Sequence, residues 1–123
     1  MMAKIFISQP MNNVPEEEIM ETRKRLWDLA LKYYKRNHKD DALAIELIDN
    51  YNKDNIPSNG NTRVWMLGDS IKLMYNASLV VFGKGWENAR GCKIEMEICR
   101  LYDIPFETED DLLYFEKEDN KEV

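Results

Sequence analysis

Histidine, cysteine and long apolar runs are all scarce in this 123-residue chain, and basic residues do not outnumber acidic ones. The single histidine, His38, lies in the charged stretch "KRNHKDD" and reads as a solvated surface residue. With only Cys92 and Cys99 beside it, a zinc site lacks ligands and no metal or other cofactor is expected. The two cysteines are seven apart on one predicted helix, about 10 Å along its axis, too far for a disulfide. Both read as small core residues. No segment approaches the roughly 20 apolar residues of a membrane span. The opening "MMAKIFIS" has one lysine and an apolar run too short for a secretory leader, so a cytoplasmic location is expected. Lysine and arginine total 17 against 23 acids, and no basic face is evident, which argues against a nucleic-acid polymer as partner.

What the chain does have is an uneven charge. Its net charge is −6. Residues 107–123 alone carry eight acids against Lys117 and Lys121, so residues 1–106 are neutral. The expected organisation is one domain over 1–106 and an acidic C-terminal segment over 107–123, ordered in part at most. A chain of this length can bury about two thirds of its unfolded surface, enough for a core.

Apolar runs and helical periodicities alternate along the chain. Residues 3–7 read as a buried strand. Pro15 with Glu16, Glu17 and Glu18 marks a helix start, since acids suit the positive helix end. Ile19, Leu26, Ala30 and Tyr33 then recur at helical spacing. "ALAIELID" suits strand or helix; the long loop after it favours strand. Such a loop is uncommon in a small domain unless it covers a site. Residues 62–75 form a second helix capped by Asn61 or Thr62. Residues 77–82 are the clearest buried strand, 89–102 a third helix, and 104–106 begin a last strand. "DLLYF" in the tail fits helix or strand. This alternation predicts an α/β fold with a parallel sheet of four or five strands covered on both faces.

Ligands of such sheets bind outside the carboxyl ends of the strands. Two loops leave those ends: "SQPMNN" after the first strand and "GKGWENARG" after the 77–82 strand. The third helix points to the same place. Projected at about 100° per residue, Cys92, Ile98 and Cys99 lie within about 60° of Glu95, while Lys93, Glu97 and Arg100 lie opposite. Glu95 therefore occupies the apolar stripe, where a carboxylate is costly unless paired or used. It either carries chemistry, caps backbone amides, or pairs with Arg63 or Arg90. Arg90, a cation at a helix start with Gly91 beside it, either binds an anion or pairs with Glu87. Trp86 next to Gly85 either stacks on a planar ring or covers the core. Asp69, among Trp65, Met66 and Leu73, is a second carboxylate, partly buried or at the helix boundary.

Together "IFISQPMNN", "WMLGDS" and "FGKGWENARGCKIEMEIC" resemble the nucleoside 2-deoxyribosyltransferase-like superfamily, nearest an uncharacterised bacterial and phage branch. The resemblance covers about residues 4–106. It implies a three-layer α/β/α Rossmann-like (flavodoxin-like) domain, a homodimer or larger homo-oligomer, and a small nucleoside or nucleotide ligand. It implies Glu95 as nucleophile at the anomeric carbon and Asp69 as the acid assisting the base. Ser8, Gln9 and Met11 match the loop lining the sugar or phosphate, and Gly85, Trp86, Asn88, Arg90 and Gly91 are the further substrate-binding candidates. The serine- and glycine-rich phosphate loop of the hydrolases is replaced here by Gln9-Pro10-Met11.

The expected chemistry is N-glycosidic cleavage or deoxyribosyl transfer on nucleosides or their 5′-monophosphates. A buried nucleophile must stay ionised, so a hydroxyl or backbone amide has to hold Glu95; sequence names no such donor. The other reading is a module that binds a nucleotide or nucleotide-derived signal without turning it over. A third is an interaction protein acting through its acidic tail; deleting 108–123 tests it, since an enzyme core should survive that cut.

Overall fold

The computed structural model describes residues 2–39, 43–51 and 56–121, with side chains through 118. Strand β1 (Met2–Ser8) leads into helix α1 (Glu16–Asn37), then strand β2 (Ala44–Leu47) and helix α2 (Thr62–Leu73). A 3-10 turn (Met74–Asn76) leads to strand β3 (Leu79–Phe82), helix α3 (Arg90–Leu101), strand β4 (Phe106–Thr108) and helix α4 (Glu109–Lys121). All strands are parallel, in the order β2-β1-β3-β4.

Alternation along β1 builds two cores. Ile5 and Ile7 point to α1 and α4, joining Leu26, Leu29, Ala30, Val81 and Leu112. Phe6 points to the other side, joining Phe82, Cys92, Met96 and Cys99. Both faces of the central strands are covered, which is why "KIFIS" and "LVVF" read as continuous apolar runs. The fold is thus the expected α/β/α three-layer, Rossmann-like arrangement. "ALAIELID" contains a strand, at the sheet edge, where Ala44 and Glu46 are exposed and Ile45 and Leu47 pack on the first core. Among the described residues, no helix is long and apolar enough to cross a membrane.

The acidic segment behaves differently from an appendage. Glu107 and Thr108 complete β4, and α4 follows without a loop. Leu112 is buried in the first core and Phe115 stacks on Tyr33 at 5.8 Å. Buried Glu109 accepts from Arg25 Nε at 2.9 Å and from the Lys84 backbone N–H at 3.1 Å. Burial of one leucine is worth about 1.5–3 kcal/mol, more than the roughly 0–1 kcal/mol of an exposed ion pair. Two apolar side chains one turn apart therefore outweigh the acidity and seat the helix. The folded unit extends past residue 106, and the boundary expected there is corrected.

Strand order places the site. From β1 the chain steps outward to β2, then crosses back to β3 on the other side of β1. The switch in direction lies between β1 and β3, whose last pair is Ser8 with Phe82.

Candidate functional site

The two loops expected to share an edge do so. Gly83 N–H donates to Ser8 C=O at 2.9 Å, extending the ladder beyond β3. Gly85 has φ +86°, a left-handed conformation that disfavours any side chain, and a Cβ there would lie 3.6 Å from Pro10 Cγ. The loops therefore meet at Gly85 against Pro10 as well as at Gly83 against Ser8 and Gln9. The sequence stops being apolar at Ser8 because the strand has reached this edge.

Glu95 lies on α3 one turn beyond its start, 6% exposed, on the face shared by Cys92, Met96 and Cys99. Glu97, Lys93 and Arg100 are exposed, as the helical projection requires. Neither Arg63 nor Arg90 neutralises it; both are exposed. Its partners are hydroxyls. Ser8 Oγ donates to Oε1 at 2.7 Å and Ser70 Oγ donates to Oε2 at 2.7 Å. Burial pushes the Glu95 carboxyl above its ordinary range, and the Ser70 and Ser8 hydrogen bonds pull it back. These hydroxyls hold the carboxylate in place and favour its ionised form. The Cys92 thiol is pushed up to about 11, chiefly by burial, and Cys99 to about 12 by burial and then the Glu95 charge. Neither cysteine is a ready nucleophile.

The remaining candidates divide. Gln9 is buried; its Nε2 donates to the Ile19 carbonyl at 3.0 Å, and its Oε1 has no hydrogen-bond partner among the described residues. Met11 is half-buried in the turn closed by Val14 N–H on Met11 C=O at 3.2 Å. Trp86 is half-buried and tilts against Phe82 at 5.8 Å, so it covers the second core; it also lines a cleft of about 100 Å³ with Gly85, Lys84 and Thr108. Asn88 and Arg90 are exposed, and Arg90 has no ion-pair partner among the described residues. A Cβ at Gly91 would lie 3.8 Å from Leu67 Cδ1, so Gly91 faces α2. Asp69 is exposed on α2. One residue away, Ser70 makes the contact with Glu95, and successive helix positions diverge by about 100°, so Asp69 does not share it.

Two residues escaped sequence reasoning. Ser70 follows Leu67 and precedes Met74 at helical spacing, which puts it on the inner face of α2. Arg23, between Ile19 and Leu26, is a charge in the apolar stripe of α1, the same signal that singled out Glu95. It is 6% exposed, and its Nη2 donates to Ile48 C=O at 2.9 Å and Asn50 Oδ1 at 2.8 Å. Asn50 Nδ2 in turn donates to Ile7 C=O at 2.8 Å. Desolvation lowers the Arg23 pKa, opposed by the charge of Asp49. Arg23 thus ties α1 to the segment after β2, and Asn50 ties that segment to the end of β1.

What results is an enclosed, hydroxyl-held carboxylate at the switch point of a parallel sheet, with a polar wall from the loop after β1. Set against family models, curated proteins and solved structures, the chain matches none.

Proposed function

We propose that the chain cleaves or transfers the N-glycosidic bond of nucleosides or nucleoside 5′-monophosphates, with Glu95 as nucleophile. One observation carries this reading: a carboxylate buried in an apolar helix face, at the ligand-binding edge, accepts a hydrogen bond at each oxygen. Two hydroxyl donors orient the carboxylate and offset part of the burial that favours its neutral form, while water is excluded. The likeness of "SQPM" and "GWENARGC-IE" to the deoxyribosyltransferase-like superfamily points the same way.

In this reading a Glu95 oxygen attacks C1′ as the C1′–N bond breaks, and the bond's electron pair leaves with the base. The transition state is oxocarbenium-like. The departing base takes a proton, from Asp69 at the solvent side or from water. Water or a second base then attacks C1′, releasing Glu95 with retained configuration. Ser8 and Ser70 hold the carboxylate, and Gln9 and Met11 border the sugar. The reading includes a homodimer or larger assembly and a cytoplasmic location.

The test is chromatographic detection of free or exchanged base from a panel of deoxynucleosides and their 5′-monophosphates, with and without an acceptor base. Turnover should fall at least a thousandfold in Glu95→Gln. Full turnover in that variant would overturn the mechanism. The enclosure of Glu95 favours a second reading, a nucleotide-binding module: ligands would then raise the melting temperature and release no base.

A further inference from the structure

Glu95 is sealed in. Only 6% of it is exposed and each oxygen already holds a hydroxyl. The cleft beside Trp86 does not reach it, nor does the surface depression around Arg100 and Asp103 at the far end of α3. Anything that is to touch this carboxylate needs a wall to move.

The walls are unequal. Ser8 belongs to β1, the central strand, with hydrogen-bonded neighbours on both sides. Cys92 and Cys99 belong to α3, whose inner face is core. Ser70 belongs to α2, none of whose side chains is fully buried, with Leu67, Ser70, Ile71 and Leu73 only half-buried. Its first turns expose Val64, Trp65 and Met66, and its start is held by the Asn61 cap to Val64 N–H at 3.2 Å. Its other end is anchored: Leu73 packs on the second core and Met74, just beyond, is buried. Midway, Gly68 has open space around it. A helix fixed at one end, with few buried apolar contacts along its length, occupies the low-stability end of a fold.

We infer that α2 is the movable wall of the Glu95 site, swinging on its Leu73–Met74 end, and that Ser70 is the latch tying it to the carboxylate. Opening transfers one oxygen of Glu95 from Ser70 to the incoming ligand; Ser8 keeps the other. The groups facing Glu95 are then Ser8 from β1 and Cys92 and Cys99 from α3, none of them cationic. The kinetic part of this inference rests on the glycosidase reading; the opening does not.

The test locks the wall. A Cβ at Gly91 approaches Leu67 to 3.8 Å, so Leu67→Cys with Gly91→Cys places two thiols across the α2–α3 contact. The native thiols are buried and resist ionisation, so they compete poorly for oxidation. The probe is a water-soluble carbodiimide with an amine, its product at Glu95 read by peptide mass spectrometry. Labelling should be at least fivefold slower in the oxidised double variant than after reduction, and at least fivefold faster in Ser70→Ala than in the parent protein. Equal labelling of the oxidised and reduced forms removes the moving wall; equal labelling in Ser70→Ala and the parent removes the latch. Where the disulfide does not close, hydrogen exchange decides: α2 amides should exchange at least tenfold faster than those of α3, and equal rates overturn the inference. Oxidation should also lower any base release at least tenfold, reversibly. A parent protein with no base release on any substrate sinks the glycosidase reading while the labelling still decides the wall.

Discussion

At the scale of single residues, Glu95 sets burial against charge. Burial favours its neutral form, so the folded chain holds this proton to higher pH than the unfolded chain does. Between the ordinary carboxylate range near pH 4 and the raised folded value, the folded state binds more protons. Stability therefore falls as pH rises through that window. Glu95→Gln imitates the neutral form and escapes this loss. Its melting temperature at pH 7 should exceed that of the parent, and the difference should shrink toward pH 4. A variant that melts lower at pH 7 would mean that the two serine hydrogen bonds outweigh desolvation. The residue was legible in sequence because a charge among Cys92, Ile98 and Cys99 violates the helical pattern. Ser70 was not, since a serine at a helix boundary violates nothing; only its 2.7 Å contact reveals it. Arg23 did violate the pattern of α1, but its immediate neighbours Thr22, Lys24 and Arg25 are polar or basic, so it read as part of a solvated run.

At the scale of elements, the helices differ in how they are held. α1 and α3 bury continuous stripes, whereas α2 rests on its cap and its last turn. Gly68 weakens it further, since glycine costs a helix interior about 0.5–1 kcal/mol against alanine. A methyl group there meets nothing within 4 Å. Gly68→Ala should therefore slow amide exchange in α2 by about threefold to fivefold while leaving α3 unchanged, and if α2 must open, it should lower turnover as well. Unchanged exchange would show that α2 is held by something other than its own helical stability. The N-cap, the acids starting α1 and the strand in "ALAIELID" follow from local chemistry and were readable in advance. The looseness of α2 was not, because its apolar residues, Val64, Trp65 and Met66, look like any core face until the packing leaves them outside.

At the scale of the whole molecule, α4 closes the layer over β1 and β3. Leu112 is 2% exposed and Glu109 ties α1, the loop after β3 and α4 together. Leu112→Ala should cost about 2–4 kcal/mol by denaturant melts. Ending the chain at residue 108 should uncover Ile5, Ile7 and Val81 and yield an aggregating or molten product, read by dye binding and circular dichroism. A stable, cooperative fold after that cut would return the acidic segment to the appendage its composition suggested.

The sequence by itself determined the alternation of strand and helix, the doubly covered sheet, the edge where its loops meet and the one carboxylate out of place on α3. Each of these is a periodicity or an end signal, set by neighbours a few positions apart. Tertiary structure alone decided that the acidic tail is a wall of the core, that serines from β1 and α2 hold Glu95, and that Asp69 faces solvent. Those are contacts between residues 25 to 87 positions apart. They depend on how layers rotate against each other, and no local pattern records that angle.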